Sequence, residues 1–190
     1  MERPYVEEIL FDKINFTEKP LTVGDYEACE FRNCDFSHAD LSGIHFTECN
    51  FTGCNLGNAG LMKVTLNNIQ FKDCKLLGLH FDECNKTLFS ASFNNCQLDF
   101  ASFYQVKLRK TIFTKCSLKE VDFTEADLTE AVFDECDLSR AVFVNTLLEK
   151  ADLRTAFHFT MDPSHNKVKK AKFSASGLAG LLDKFDLDIT

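Results

Sequence analysis

The sequence predicts an all-β solenoid with four sides to each turn, about eight coils long, closed by a short C-terminal α-helix. Three observations carry this reading. A large apolar residue recurs every fifth position, a period that neither a helix nor a half-buried strand produces. A smaller inward residue precedes most of these centres by two positions. Identical residues also recur every twenty positions, so four pentads make one coil.

The centres run Phe11, Phe16, Leu21, Tyr26, Phe31 and onward to Phe81, then Leu88, Phe93, Leu98 and onward to Leu153. All are Phe, Leu or Tyr, which accounts for a chain with 20 Phe and no Trp. The smaller set is mostly Ala, Cys, Val and Ile, and all nine cysteines fall in it. The other three positions of each pentad are mostly polar, as in "ADLTE" (126–130) and "CDLSR" (136–140). Columns such as Phe31, Phe51 and Phe71, or Leu98, Leu118 and Leu138, should stack at the interstrand spacing of about 4.8 Å. Each coil then buries its inner residues only against its neighbours, so both ends need caps.

The rhythm slips by two residues inside "FDECNKTLFSASF" (81–93). Cys84 fits the small slot by the old count and Leu88 the centre by the new one. A surface bulge at Asn85, Lys86 and Thr87 is therefore expected on one continuous solenoid, with no domain boundary. The repeat domain is assigned to residues 1–175, with Val168 and Phe173 still in phase, and the cap and tail to 176–190. In "SASGLAGLLDKF" the period changes: Leu178, Leu181, Leu182 and Phe185 form one helical stripe, with Ser174 or Ser176 as N-cap. A lid over the last coil would explain the stripe.

These units are similar to A(D/N)LXX, and the sequence resembles the pentapeptide-repeat proteins over roughly residues 9–175. The resemblance implies a right-handed quadrilateral β-helix. The tail "NKVKKAKFSASGLAGLLDKFDLDI" resembles the quinolone-resistance and albicidin-resistance branch, in which such a helix joins two copies end to end. That branch protects type II topoisomerase (DNA gyrase) from antibiotics by imitating DNA. The quinolone-resistance members carry long loops. An interior insertion of two residues is closer to the smoother albicidin-resistance type. The other implied role is a structural scaffold for a different protein partner.

The net charge of −8 argues against direct contact with nucleic acid or an anionic membrane. The start "MERPYVEEIL" has no signal-peptide h-region, so a cytoplasmic location is expected. Charge is segregated along the chain. Residues 51–118 carry eight bases against four acids, and residues 119–162 carry eleven acids against four bases. Within the latter, Glu120, Asp122, Glu125, Asp127, Glu130, Asp134, Glu135 and Asp137 should point outward on every side, a ring suited to a basic groove made for phosphates. Charged outer positions also keep a solenoid soluble.

Chemistry is not indicated. Cys34, Cys54, Cys74, Cys96, Cys116 and Cys136 form one inward column, too far apart and badly aimed for disulfides, and read as soft core filler. The five histidines do not pair at ligand spacing, and no nucleophile elbow, phosphate loop or zinc motif occurs. No cofactor, metal or small-molecule substrate is expected, and no enzymatic activity.

Overall fold

A computed structural model describes residues 3–188. One face of the solenoid carries nine short parallel strands, from Leu10–Asp12 to Lys172–Phe173, each paired with the next coil. An adjoining face carries four, Tyr5–Glu7, Asp25–Glu27, His45–Thr47 and Thr65–Asn67. The register is a strict twenty residues, as in Phe31 opposite Phe51, except across the slip, where Phe71 faces Phe93. Eight steps at about 4.8 Å make a rod roughly 38 Å long. Ahead of the first counted centre, Phe11, Tyr5–Glu7 already pairs with Asp25–Glu27.

The pentad follows from three local requirements. The centre and the small residue point inward and are buried along nearly the whole chain. Residues two past a centre turn the corner in the left-handed region, among them Glu120, Glu125, Glu130 and Glu135, with φ between 52° and 60°. Such a backbone costs about 1–2 kcal/mol for a residue with a Cβ. Part of that cost is offset because the corner N–H bonds to the next coil, as Glu120 does to Ser139 O at 3.0 Å and Glu130 to Glu149 O at 2.9 Å. The Asp or Asn before a centre accepts from the N–H two residues on: Asp35 from Ser37 (2.9 Å), Asp122 from Thr124 (2.8 Å), Asp137 from Ser139 (3.1 Å). These Asx turns explain why that slot favours Asp and Asn.

The core is a set of stacked ladders. Rings from Phe11 through Phe31, Phe51, Phe71, Phe93 and Phe113 to Phe133 lie 4.7–5.5 Å apart, nearly parallel. A second ladder joins Phe81, Phe103, Phe123 and Phe143. Burying each ring contributes roughly 1.5–3 kcal/mol. The nine cysteines are free and buried. Each thiol in the long column reaches a backbone carbonyl of the preceding coil, for instance Cys54 to Phe31 O at 3.3 Å and Cys136 to Phe113 O at 3.4 Å.

At the slip the structure corrects one expected centre. Asn85 keeps the register, donating to Val64 O at 2.8 Å as Thr65 does to Ile44 O at 3.0 Å. Ala91 restores it opposite Ile69. Residues 86–90 therefore fill the space that 66–68 fill one coil earlier. A turn closed by Leu88 N–H on Asn85 O absorbs the excess and rotates Leu88 into solvent, 51 % exposed. Phe89 takes the inward place, 8 % exposed, edge-on to Phe81 and Phe103.

Candidate binding surface

The eight acids at 120–137 do encircle the rod, but the structure gives most of them cationic partners from neighbouring coils. Glu120 pairs with Arg140, Asp127 with Arg109 (3.2 Å), and Glu130 with Lys150 (2.9 Å) and Lys110 (3.9 Å). Glu135 pairs with Lys115 (3.8 Å), and Asp137 with Lys119 (3.4 Å) and His158 (3.1 Å). Asp122, Glu125 and Asp134 have no cation partner among the described residues, Glu125 and Asp134 accepting from Gln105 (2.7 Å) and Thr155 (2.9 Å) instead. Sequence reasoning missed this pairing, although its signal was present: Lys110, Glu130 and Lys150, like Lys115 and Glu135, are opposite charges twenty residues apart.

These contacts set the proton affinities. Burial alone would raise Asp127, but the Thr129 hydroxyl and N–H together with Arg109 hold it below the ordinary aspartate value. Asp137 is balanced the same way, burial against Ser139, His158 and Lys119, and ends low. Glu130 is lowered by its bond to Lys150. One coil on, Arg154 brings Asp152 to about 2.

The terminal helix is present, but as a 3-10 helix over Ala175–Leu181, followed by a second over Asp183–Phe185. Ser174 is the N-cap, its hydroxyl accepting from Gly177 N–H at 3.1 Å. Two glycines choose the docking face. A Cβ on Gly180 would stand 2.0 Å from Phe159 O, and one on Gly177 2.9 Å from the Phe159 ring. With no Cβ the helix lies directly on Phe159, and Met161 N–H donates to Gly180 O at 3.0 Å. Lys184 adds a bond to Asp162 at 2.7 Å. Of the predicted stripe, only Leu181 packs against the core. Leu178, Leu182 and Phe185 are 48 %, 38 % and 57 % exposed.

At the bulge, Asn85 Oδ1 accepts from Thr87 N–H (3.3 Å) and the Lys86 ammonium reaches Tyr104 O at 3.0 Å. Among the described residues no group of three His, Cys, Asp or Glu side chains is arranged to hold a metal ion, and no helix is long and apolar enough to cross a membrane. Burial pushes the Cys49 and Cys84 thiols up to about 12.

The family model for the pentapeptide repeat region matches residues 24–87 and 86–181, dividing at the bulge. The chain belongs to the pentapeptide-repeat family. Its fold is similar to that of full-length QnrB1, a plasmid-mediated fluoroquinolone resistance protein, at 18 % identity over 97 % of this chain and 100 % of that one, with a TM-score of 0.52. It also matches HetL, a pentapeptide repeat protein involved in heterocyst differentiation regulation from Nostoc sp. strain PCC 7120. That match has 18 % identity, 88 % and 86 % coverage, and a TM-score of 0.48. None of the curated proteins matches the sequence.

Proposed function

We propose that this pentapeptide-repeat protein is a dimeric, non-enzymatic binding rod, located in the cytoplasm, whose partner is a type II topoisomerase, DNA gyrase. One observation carries the dimer: the terminal helix docks by its glycine face, leaving Leu178, Leu182 and Phe185 in solvent at the end of the rod. Apolar side chains in a row at a chain end are a self-complementary surface for a two-fold partner. Two rods joined there bring both acidic rings to the middle of the dimer. The resemblance of residues 166–189 to the topoisomerase-protecting branch supports the choice of partner, as does the fold shared with a fluoroquinolone resistance protein.

The ion pairs favour a second reading, a scaffold for a different protein. Five of the eight ring acids are partnered by cations, so the ring offers a phosphate-binding groove far less field than its sequence suggests. A DNA supercoiling assay with gyrase, with and without a gyrase-targeting drug, separates the two. Inhibition, or protection from the drug, at micromolar dimer supports the first. A dimer without effect on either activity leaves the second.

A further inference from the structure

The bulge opens a gap in the coil-to-coil ladder, and every charged residue lining it is a base. Elsewhere on this face the N–H before each centre bonds to the preceding coil: Asp127 to Val106 O (3.0 Å), Leu147 to Ala126 O (2.9 Å), Lys167 to Thr146 O (3.0 Å). Lys107, directly after the bulge, makes no such bond. Beside it the detour of residues 86–90 leaves a niche of roughly 180 Å³. At about 30 Å³ per water, this holds around six water-sized bodies.

Lys107, Arg109 and Lys110 line one wall, and Ser90, Ser92 and Thr111 supply hydroxyls; no carboxylate lines it. Arg109 and Lys110 lean toward Asp127 and Glu130 on the next coil, Lys110 only at 3.9 Å. Lys107 has no ion pair among the described residues. Thr111 is the informative residue. Its column reads Ala91 before it and Ala131, Ala151 and Ala171 after it, with Ile69 and Cys49 in earlier coils. It is 7 % exposed, and no described group hydrogen-bonds its hydroxyl. The oxygen is not sealed in the core: it opens onto the niche and can bond to whatever occupies it.

We propose that this niche binds a phosphate group, held by Lys107 and Arg109 with the Thr111 and Ser90 hydroxyls donating to its oxygens. Ser90 is suited to this, because its oxygen already accepts from Asn68 N–H at 2.6 Å and its own proton is left to donate. Cations on a low-dielectric wall with convergent hydroxyl and backbone donors are the arrangement that favours a multivalent oxyanion. The site lies within the basic band at 51–118, beside the acidic ring that Arg109 and Lys110 reach and away from the terminal helix, and stands independently of any topoisomerase.

Isothermal titration of the full chain with inorganic phosphate, and separately with glycerol phosphate, tests it. One equivalent should bind in each protomer, more weakly as salt rises. Lys107→Ala should weaken binding at least tenfold. Thr111→Ala, which places there the residue of both flanking coils (Ala91 and Ala131) and so keeps the fold, should weaken it several-fold. Lys169→Ala, an exposed lysine further along the same face, should leave it unchanged. Tighter binding of glycerol phosphate identifies an esterified ligand, and preference for inorganic phosphate the free ion. No saturable binding of either probe at millimolar concentration overturns the proposal, and so does equal weakening by Lys107→Ala and Lys169→Ala.

Discussion

Gly180→Ala should detach the terminal helix while leaving the solenoid folded. The new Cβ would meet Phe159 O at 2.0 Å and Phe159 C at 3.2 Å, both backbone atoms that no rotamer change can move. The helix must therefore lift. Doing so breaks the bond from Met161 N–H to Gly180 O, worth about 1 kcal/mol. The Lys184–Asp162 pair is exposed and adds little. With the lost packing of Leu181, or equivalent strain if the helix stays, the local cost is about 2 kcal/mol, close to a thirtyfold change in the opening equilibrium. Hydrogen exchange at the Met161 amide should accelerate by that factor. The Val132 amide, bonded to Thr111 O at 2.9 Å about one and a half coils away, should change far less, because stability passes mainly between neighbours. Light scattering on the same variant should show monomer in place of dimer. Unchanged Met161 protection would refute the docking argument, and a dimer persisting with the helix detached would place the interface elsewhere.

Three further outcomes are expected. Phe89→Ala should cost about 3 kcal/mol in denaturant unfolding and Leu88→Ala less than about 0.5 kcal/mol; the reverse order would restore Leu88 as the centre. Phe100 is 61 % exposed at φ +63°, so Phe100→Asn should raise stability by about 0.5–1 kcal/mol, and a fall in melting temperature would reveal a contact for the ring. Asp127, Asp137 and Asp152 have folded-state values below their unfolded value near 3.8. As pH falls through that value the unfolded chain takes up protons the fold resists, so stability present above it is lost toward about 2, where Asp152 titrates. The melting temperature should drop over that window, and a rise on acidification would contradict the pairing.

The coil was legible because a five-residue period with twenty-residue columns admits one packing: Phe31, Phe51 and Phe71 can be buried together only by stacking. The bulge was legible in place but not in detail. A count along the chain makes Leu88 the centre, whereas the turn from Asn85 to Leu88 is a local hydrogen-bond choice that hands the inward slot to Phe89. The terminal stripe was visible, but its orientation was set by Gly177 and Gly180, whose meaning depends on Phe159 lying beneath them. The ring acids lie on the outside of the coils, half-buried or exposed. Their neutralisation depends on neighbours one coil away, which a residue-by-residue count of acids passes over.

Competition between this rod and duplex DNA for a purified type II topoisomerase is the most direct measurement. If the protein occupies the DNA site, sedimentation should show a rod–enzyme complex that duplex DNA displaces and that added salt weakens. A complex indifferent to DNA, or none at micromolar dimer, would contradict the proposed role.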